Sequence, residues 1–210
     1  MPRAPRVPRR ATYHHGNLRE ALVGAATALL DAEGPLGVTL RGAARRAGVS
    51  QTAPYRHFRD KGALLAAVAE RGFRALHRTM KAAARGHPGD PLRALQTIVA
   101  DVVRFAARHP SQYRLMSGPA VRGRDHPALR EAATAAWQTL GELVVACQRA
   151  GRIRAGDPMP LAFTVWCLAH GLSVLLVDEQ IPPAVLAQYR IGRLAEHVTE
   201  RLIEGLKRPR

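Results

Sequence analysis

The sequence contains little cysteine, few aromatic residues and few acidic side chains. Its 210 residues include two cysteines, 5% aromatic residues and 16 acidic side chains, against 32 lysines and arginines. Two cysteines cannot by themselves build a disulfide framework or a zinc site. Cys147 and Cys167 both lie in apolar stretches, so we expect buried, reduced thiols. Alternating β-branched runs and Asn-Gly or Asp-Gly hairpin turns are also lacking, which excludes a β-rich fold.

Positive charge dominates the chain. The formal net charge is +16, divided into +7 over residues 1–61 and +9 over residues 62–210, so the density is about twofold higher in the first part. Apolar residues make up 47% of the chain, which excludes global disorder. The charge makes polyanions the first partners to consider: DNA, RNA or an anionic membrane surface.

The first residues alternate proline and arginine and are followed by no apolar run, so they are not a secretory signal. We expect residues 1–12 to form a disordered basic arm; the alternative is an arm that reaches into a DNA minor groove. The consistent compartment is the cytoplasm.

A membrane span needs a separate test, because residues 159–177 contain no Asp, Glu, Lys or Arg. The run includes Pro160 and His170, and its flanks, Asp157 and Asp178, are acidic rather than basic or aromatic. We therefore predict no membrane contact, and a helix buried on all sides between its own core and a partner subunit.

Helical periodicity runs through the remaining sequence. The first stripe comprises Leu18, Leu22, Ala25, Ala26, Leu29 and Leu30, and Gly34-Pro35 ends it. The pattern predicts an all-α protein of about nine helices. They begin near Leu18, span 40–47, about 50–58, 61–86, 92–108, 111–116, 128–150 and 158–177, and end with 183–207.

Residues 39–61 indicate a helix-turn-helix. Thr39 is the expected N-cap of its first helix, Gly48 permits a left-handed turn, and Ser50 is the expected cap of the second helix. We predict a three-helix DNA-binding domain over residues 13–61 and a helical bundle over residues 62–210, to which the family resemblance given below assigns ligand binding and dimerisation.

The second helix of such a motif enters the major groove, so its first residues are candidate contacts. Gln51, Thr52 and Tyr55 would meet bases or the groove, and Thr39, Tyr55, His57 and Lys61 would meet phosphates. The alternatives are a core position for Tyr55 and ordinary surface positions for His57 and Lys61; Phe58 is expected in the core. The full set of candidate DNA-binding residues is Thr39, Arg41, Ser50, Gln51, Thr52, Pro54, Tyr55, His57 and Lys61.

Pro54 conflicts with a regular recognition helix. Its ring removes one backbone donor and disfavours α geometry at Ala53. We therefore expect a helix that is regular only from Pro54 onward or has a distorted first turn.

The segment resembles the TetR/AcrR family of transcriptional regulators. The resemblance covers residues 13–70 and rests on Tyr13 to Arg19, on Ala47-Gly48-Val49-Ser50 and on Tyr55-Arg56-His57-Phe58-Arg59-Asp60-Lys61. Departures are Gly62, where the family usually has Glu, and Gly42, which leaves Thr39 without a capping-box partner. Residues 166–171 are similar to the Trp-His-Gly signature of one C-terminal subgroup.

The resemblance implies a ligand-released repressor that binds a palindromic operator as a homodimer. In that family the C-terminal region binds a small effector, and the last two helices, here 158–177 and 183–207, pair with a second subunit. His170 needs a hydrogen-bond partner or a ligand in so apolar a run. Core packing is the alternative for each candidate pocket residue, namely Phe105, Tyr113, Met116, Trp137, Phe163, Trp166 and His170.

Enzymatic motifs are lacking. The sequence has no glycine-rich phosphate loop, no nucleophile elbow and no paired carboxylates, and its nine histidines show no metal-ligand spacing. We predict no catalysis, no cofactor and no metal. Two rival functions remain: a nonspecific nucleoid-type DNA-binding protein, and a ligand-binding helical protein with a vestigial DNA module.

Overall fold

The structure, a computed structural model, describes residues 18–121 and 126–206. Over these ranges the chain forms nine α-helices and one 3-10 helix and no strand, which confirms the all-α prediction. The predicted basic arm, residues 1–12, lies outside the described residues. The α-helices are α1 (Leu18–Gly37), α2 (Leu40–Arg46), α3 (Lys61–Gly86), α4 (Pro91–Arg108), α5 (Pro110–Ser117), α6 (Pro127–Arg149), α7 (Pro158–Val177), α8 (Pro183–Gln188) and α9 (Ile191–Leu206). The 3-10 helix, Ala53–Arg56, lies between α2 and α3.

Helix ends follow the local sequence signals. Gly34 takes φ 68° and interrupts α1, as expected of Gly34-Pro35. Thr39 Oγ1 accepts from Gly42 N at 2.9 Å, which confirms the predicted N-cap. Five helices, α4 to α8, begin with proline, the residue whose missing N–H costs nothing in a first turn.

Helix α3 connects the two ends of the molecule. Asp60 Oδ1 accepts from Ala63 N at 2.7 Å and starts the helix. It packs on α1, α4, α5 and α6. One continuous hydrophobic core runs from α1 through α3 into α4, α6 and α7. Residue 61, at the predicted domain boundary, is thus the first residue of a helix shared by both parts.

The last predicted helix is wrong in one respect. Residues 183–207 were expected to form one helix, but Tyr189 is extended, with φ −129° and ψ 128°, and separates α8 from α9. No proline or glycine marks this break. Lys207 lies outside the described residues.

Helix α7 is covered by its own bundle on one side only. Among residues 18–121 and 126–206 it is the one helix long and apolar enough to span a membrane, and a third of its apolar window is buried. Length and composition alone are weak evidence for a span, since helices of soluble proteins pass the same test. Within the protomer one side of α7 is open, with Met159 and Phe163 each 57% exposed, so the burial expected between the core and a partner subunit stays a prediction. Cys147 is buried as predicted, but Cys167 lies on the open side of α7 and is exposed.

Candidate functional site

The turn of the helix-turn-helix forms where the glycine permits it. Gly48 takes φ 69°, and a Cβ there would meet nothing within 4 Å, so backbone conformation alone favours glycine. Val49 N donates to Ala44 O at 3.0 Å, and the Val49 side chain packs half-buried against the core. These contacts hold the segment after α2 against the rest of the domain.

The second helix of the motif is a single 3-10 turn. It covers Ala53–Arg56, so it is shorter than the predicted helix to about Phe58. The distortion expected from Pro54 is confirmed. The prediction of Ser50 as the cap is wrong, because the N-cap of the turn is Thr52 and it makes no side-chain cap bond. The Ser50 hydroxyl accepts from Thr52 N at 3.4 Å, and its carbonyl accepts from Ala53 N at 3.0 Å.

Most candidate DNA contacts are on the surface. Tyr55 is 53% exposed, whereas Phe58 is 3% exposed and belongs to the core as expected. Pro54 is buried, so it shapes the turn and does not present its ring to a groove. The exposed candidates are Thr39, Arg41, Ser50, Gln51, Thr52, Tyr55 and His57.

Lys61 is half-buried and forms a hydrogen bond to the end of α1. Its ammonium donates to Leu36 O at 2.9 Å, which ties the start of α3 to the end of α1. Three exposed arginines close to the motif in sequence, Arg45, Arg46 and Arg56, were not among the candidates. Their charge and their position on the two short helices were the available signal.

A buried carboxylate joins α1 to α3. Glu70 is 8% exposed and accepts from Arg19 Nη2 at 3.1 Å and from Arg74 Nε at 2.9 Å. The Arg19 guanidinium also lies 5.8 Å from the centre of the Phe58 ring. This network fixes the DNA-binding helices on the long helix that continues into the bundle.

An apolar cavity of about 330 Å³ lies between α3, α4, α6 and α7. This volume is at the lower end of the range for small-molecule sites. We call it the main cavity. Its lining is aliphatic and aromatic except for Thr134. The lining residues are Phe73, Leu76, Met80, Ile98, Val99, Val102, Ala133, Thr134, Ala136, Trp137, Leu140, Val165, Trp166 and Ala169.

A second cavity of about 240 Å³ adjoins the main cavity at Phe73, Leu76 and Trp166. Its lining includes Tyr113 and His170, whose hydroxyl and Nδ1 lie 3.0 Å apart. The partner that the sequence required for His170 is therefore present.

The aromatic rings around this pair are closely packed. The His170 ring stacks on Trp166 with centroids 5.1 Å apart. Burial raises the pKa of Tyr113 to about 12, and a hydrogen bond with Ser173 opposes the rise in part. The Tyr113 hydroxyl therefore stays protonated, and uncharged, at neutral pH.

The predicted pocket residues divide into two groups. Trp137 and Trp166 line the main cavity, and Tyr113, Met116, Trp166 and His170 line the second one. Phe105 is buried and Phe163 is 57% exposed, and neither lines these two cavities. Sequence reasoning missed Phe73, Leu76 and Met80, although all three lie on the apolar stripe of α3.

Helix α5 contacts both the second cavity and α3. Gln112 Nε2 donates to Val68 O at 2.9 Å, in a buried position. A Cβ at Gly72 would lie 2.5 Å from Met116 Sδ, so glycine permits this close approach. Met116 and Tyr113 face the cavity from the same short helix. A ligand that displaces Tyr113 or Met116 in the second cavity would thus move the contacts between α5 and α3.

The part of the chain that the structure describes contains no candidate metal site. There, no three His, Cys, Asp or Glu side chains are grouped to hold an ion.

The chain has a helix-turn-helix at one end of a helical bundle, which is the architecture of a class of DNA-binding proteins. The profile described as "Bacterial regulatory proteins, tetR family" matches residues 22–68, and "Tetracyclin repressor-like, C-terminal domain" matches residues 95–202. The chain belongs to the TetR family of transcriptional regulators. It is not an enzyme, and regulators of this family bind DNA, dimerise and bind small-molecule ligands.

Similar proteins support the same placement. A protein of unknown function from Rhodococcus sp. is 30% identical and superimposes with a TM-score of 0.82, over 95% of this chain and 100% of that one. The fatty acid degradation regulator FadR of Bacillus halodurans is 15% identical and has a TM-score of 0.71, over 90% and 99% of the two chains. The nucleoid occlusion factor SlmA of Marinobacter nauticus is 28% identical over 138 residues, 66% of this chain and 70% of that protein. The FadR likeness concerns the fold alone.

Proposed function

We propose that this protein is a cytoplasmic, ligand-released repressor that binds a palindromic operator as a homodimer. Residues 13–61 would bind DNA, and residues 62–210 would bind the ligand and dimerise. One observation carries the proposal: an apolar cavity and an exposed helix-turn-helix are joined by α3 and α5 through one continuous core. The Trp-His-Gly resemblance of residues 166–171 stays a prediction.

The exposed face of the motif supplies the contacts. Gln51 and Thr52 carry groups that hydrogen-bond base edges, and Tyr55 presents a large ring that is 53% exposed. Thr39, Arg41, Ser50 and His57 lie on the same exposed segment and are suited to phosphates. Lys61 would exchange its Leu36 carbonyl for a phosphate oxygen when DNA binds.

Genomic DNA selection with the purified protein tests this function. A regulator keeps a specificity ratio of roughly 10³ or more over unrelated DNA. With the selected site in hand, Tyr55→Ala and Lys61→Ala should each weaken binding, while Arg152→Ala, an exposed arginine after α6, serves as the charge-matched control. Unchanged operator affinity in both variants would refute the contact assignment.

The open face of α7 is the proposed dimer surface, together with the helices over residues 183–207. Met159, Phe163 and Cys167 are exposed at spacings of four residues, so they lie on one face of the helix, and Leu175 is exposed further along it. A second copy would bury this apolar face in a helix-on-helix interface.

Thiol reactivity and oligomeric state test the dimer together. In a dimer, Cys167 should react slowly with a thiol reagent, and Phe163→Glu should give monomers whose Cys167 reacts fast. Cys147 is the internal control, because burial and the charge of Asp90 raise its pKa to about 11 and keep the thiol unreactive in either state. A dimer in which Cys167 reacts as fast as in the Phe163→Glu monomer would contradict the interface.

Ligand release requires a difference between two states. The ligand must prefer a conformation whose recognition segments are wrongly spaced, because equal affinity for both states shifts nothing. In the DNA-bound dimer the two segments would lie about 34–36 Å apart, or at a multiple of that spacing. Gln112→Ala removes the bond to Val68 and should reduce the effect of ligand on operator affinity. An undiminished ligand effect would exclude this route.

Nonspecific DNA coating is the second candidate, and one observation favours it. Arg71, Arg78, Lys81 and Arg85 form an exposed stripe along α3, and over residues 18–121 and 126–206 none has an acidic partner. Replacing three of these charges should lower affinity for every sequence equally if coating is the function. Loss of binding to all DNA in the selection would instead favour a vestigial DNA module.

A further inference from the structure

Three cavities of the bundle adjoin one another through shared lining residues. The main and second cavities share Phe73, Leu76 and Trp166. The second cavity shares Tyr113, Ser117 and His170 with a third one of about 330 Å³. We call these three shared residues the polar station, since they contribute two hydroxyl groups and an imidazole.

The main cavity has room for an apolar group larger than a single ring. An apolar cavity of about 150 Å³ stays dry and binds benzene, so the main cavity, with about twice that volume, has room for about ten carbon atoms. Thr134 supplies its one aliphatic hydroxyl, so a charged group placed there would lose its hydration without compensation.

The charges beyond the polar station offset one another. Arg114 Nε donates to Asp178 Oδ1 at 2.7 Å, and the same guanidinium donates to Val177 O. Both ions of the pair line the third cavity. The Tyr113 hydroxyl is protonated at neutral pH, as described above. The two charged side chains that line the third cavity are therefore committed to each other, and an ionised head group there would have to compete for one of them.

We propose that the effector is an uncharged amphiphile, with an apolar body of about ten carbon atoms in the main cavity and a hydroxyl or carbonyl head group at the polar station. The proposal rests on the proposed ligand-controlled function and adds the chemical class of the ligand. Tyr113 and Ser117 hydrogen-bond the head group, and the Trp137 and Trp166 rings contact the body.

Intrinsic fluorescence provides the assay, because the sequence contains two tryptophans and both line the main cavity. The probes are 1-decanol, decanoate and decylammonium, which share one body and differ in the charge of the head group. At pH 8 we expect a saturable change in emission with 1-decanol, at a Kd at least tenfold lower than with either ion. Tighter binding of decanoate or decylammonium, or no response to 1-decanol, would overturn the proposal.

Two variants separate the head group from the body. Tyr113→Phe should weaken 1-decanol about threefold to tenfold, the effect of one lost hydrogen bond, and leave toluene, which has no head group, unchanged. Ala136→Leu should fill the main cavity and abolish binding of both probes. Circular dichroism checks that both variants fold. Equal affinity of 1-decanol for wild type and Tyr113→Phe would exclude the polar station.

Failure of the proposed function has a different signature. If 1-decanol binds as expected but leaves operator affinity unchanged, the ligand class stands and ligand-controlled release is excluded. If operator binding is absent altogether, the fluorescence titration still decides the ligand class.

Discussion

Replacing Tyr113 by phenylalanine should give a difference in unfolding free energy from the wild type that changes sign as the pH rises from 8 to above 12. Tyr113 is 3% exposed, and its hydroxyl lies 3.0 Å from His170 Nδ1. Burial raises its pKa from about 10 to about 12. Because the folded pKa is raised, the contribution of this hydroxyl is fully present below pH 10 and is lost as pH rises towards 12.

The magnitude follows from the shift in pKa and from the hydrogen bond. A difference of about two pKa units corresponds to about 3 kcal/mol. The variant lacks this loss but also lacks one hydrogen bond, worth about 1 kcal/mol. The wild type should thus be more stable by about 1 kcal/mol below pH 10, and the variant more stable by about 2 kcal/mol above pH 12. The two curves should cross between about pH 10 and 11.

Urea unfolding followed by circular dichroism, from pH 8 to about 12.5, measures both curves. Only the difference between the two proteins is interpreted, because other groups titrate equally in each. Tyr55→Phe is the matched control, since this tyrosine is 53% exposed. A difference in unfolding free energy that stays constant across this range would refute the reasoning.

Three further predictions concern stability, each measured by urea unfolding. Gly48→Ala should destabilise the protein by about 1–2 kcal/mol, because Gly48 has a φ of 69°. Gly141→Ala, in helix α6 with open space around a Cβ, should stabilise it by about 0.5–1 kcal/mol. Equal effects of the two substitutions would contradict the backbone argument. Leu95→Ala removes a fully buried side chain and should cost about 2–5 kcal/mol, while Leu36→Ala, at 90% exposure, should be near neutral. Thr39→Ala removes the cap on Gly42 N and should cost about 1 kcal/mol, and an unchanged midpoint would show that the cap contributes nothing.

Much of the DNA-binding segment was predictable because its signals are local. Thr39 as N-cap, Gly48 in the left-handed region and the distortion at Pro54 depend on one to four neighbouring residues, and all three are present. Phe58 in the core followed from its spacing with Tyr55. The length of the second helix was wrong, because a single 3-10 turn satisfies the backbone there and no signal marks its end.

The ligand cavity was predictable only in part. Trp137 and Trp166 were expected and line it, but Phe163, three residues before Trp166 on the same helix, is 57% exposed and does not line it. Phe73, Leu76 and Met80 read as ordinary core, since a stripe that lines a cavity and a stripe that fills a core have the same periodicity. The break at Tyr189 also had no local signal.

The sequence by itself determined the helical class, most helix ends, the turn of the DNA-binding motif and the family. These features depend on backbone conformation, capping and spacing, which act over a few residues. Only the tertiary structure decided which side of α7 faces the cavity, which face stays open at Cys167, and how α5 contacts both Val68 and the cavity. The physical reason lies in α7 itself: a helix that is apolar on every side contains no periodic signal for direction, so its packing partners choose its orientation.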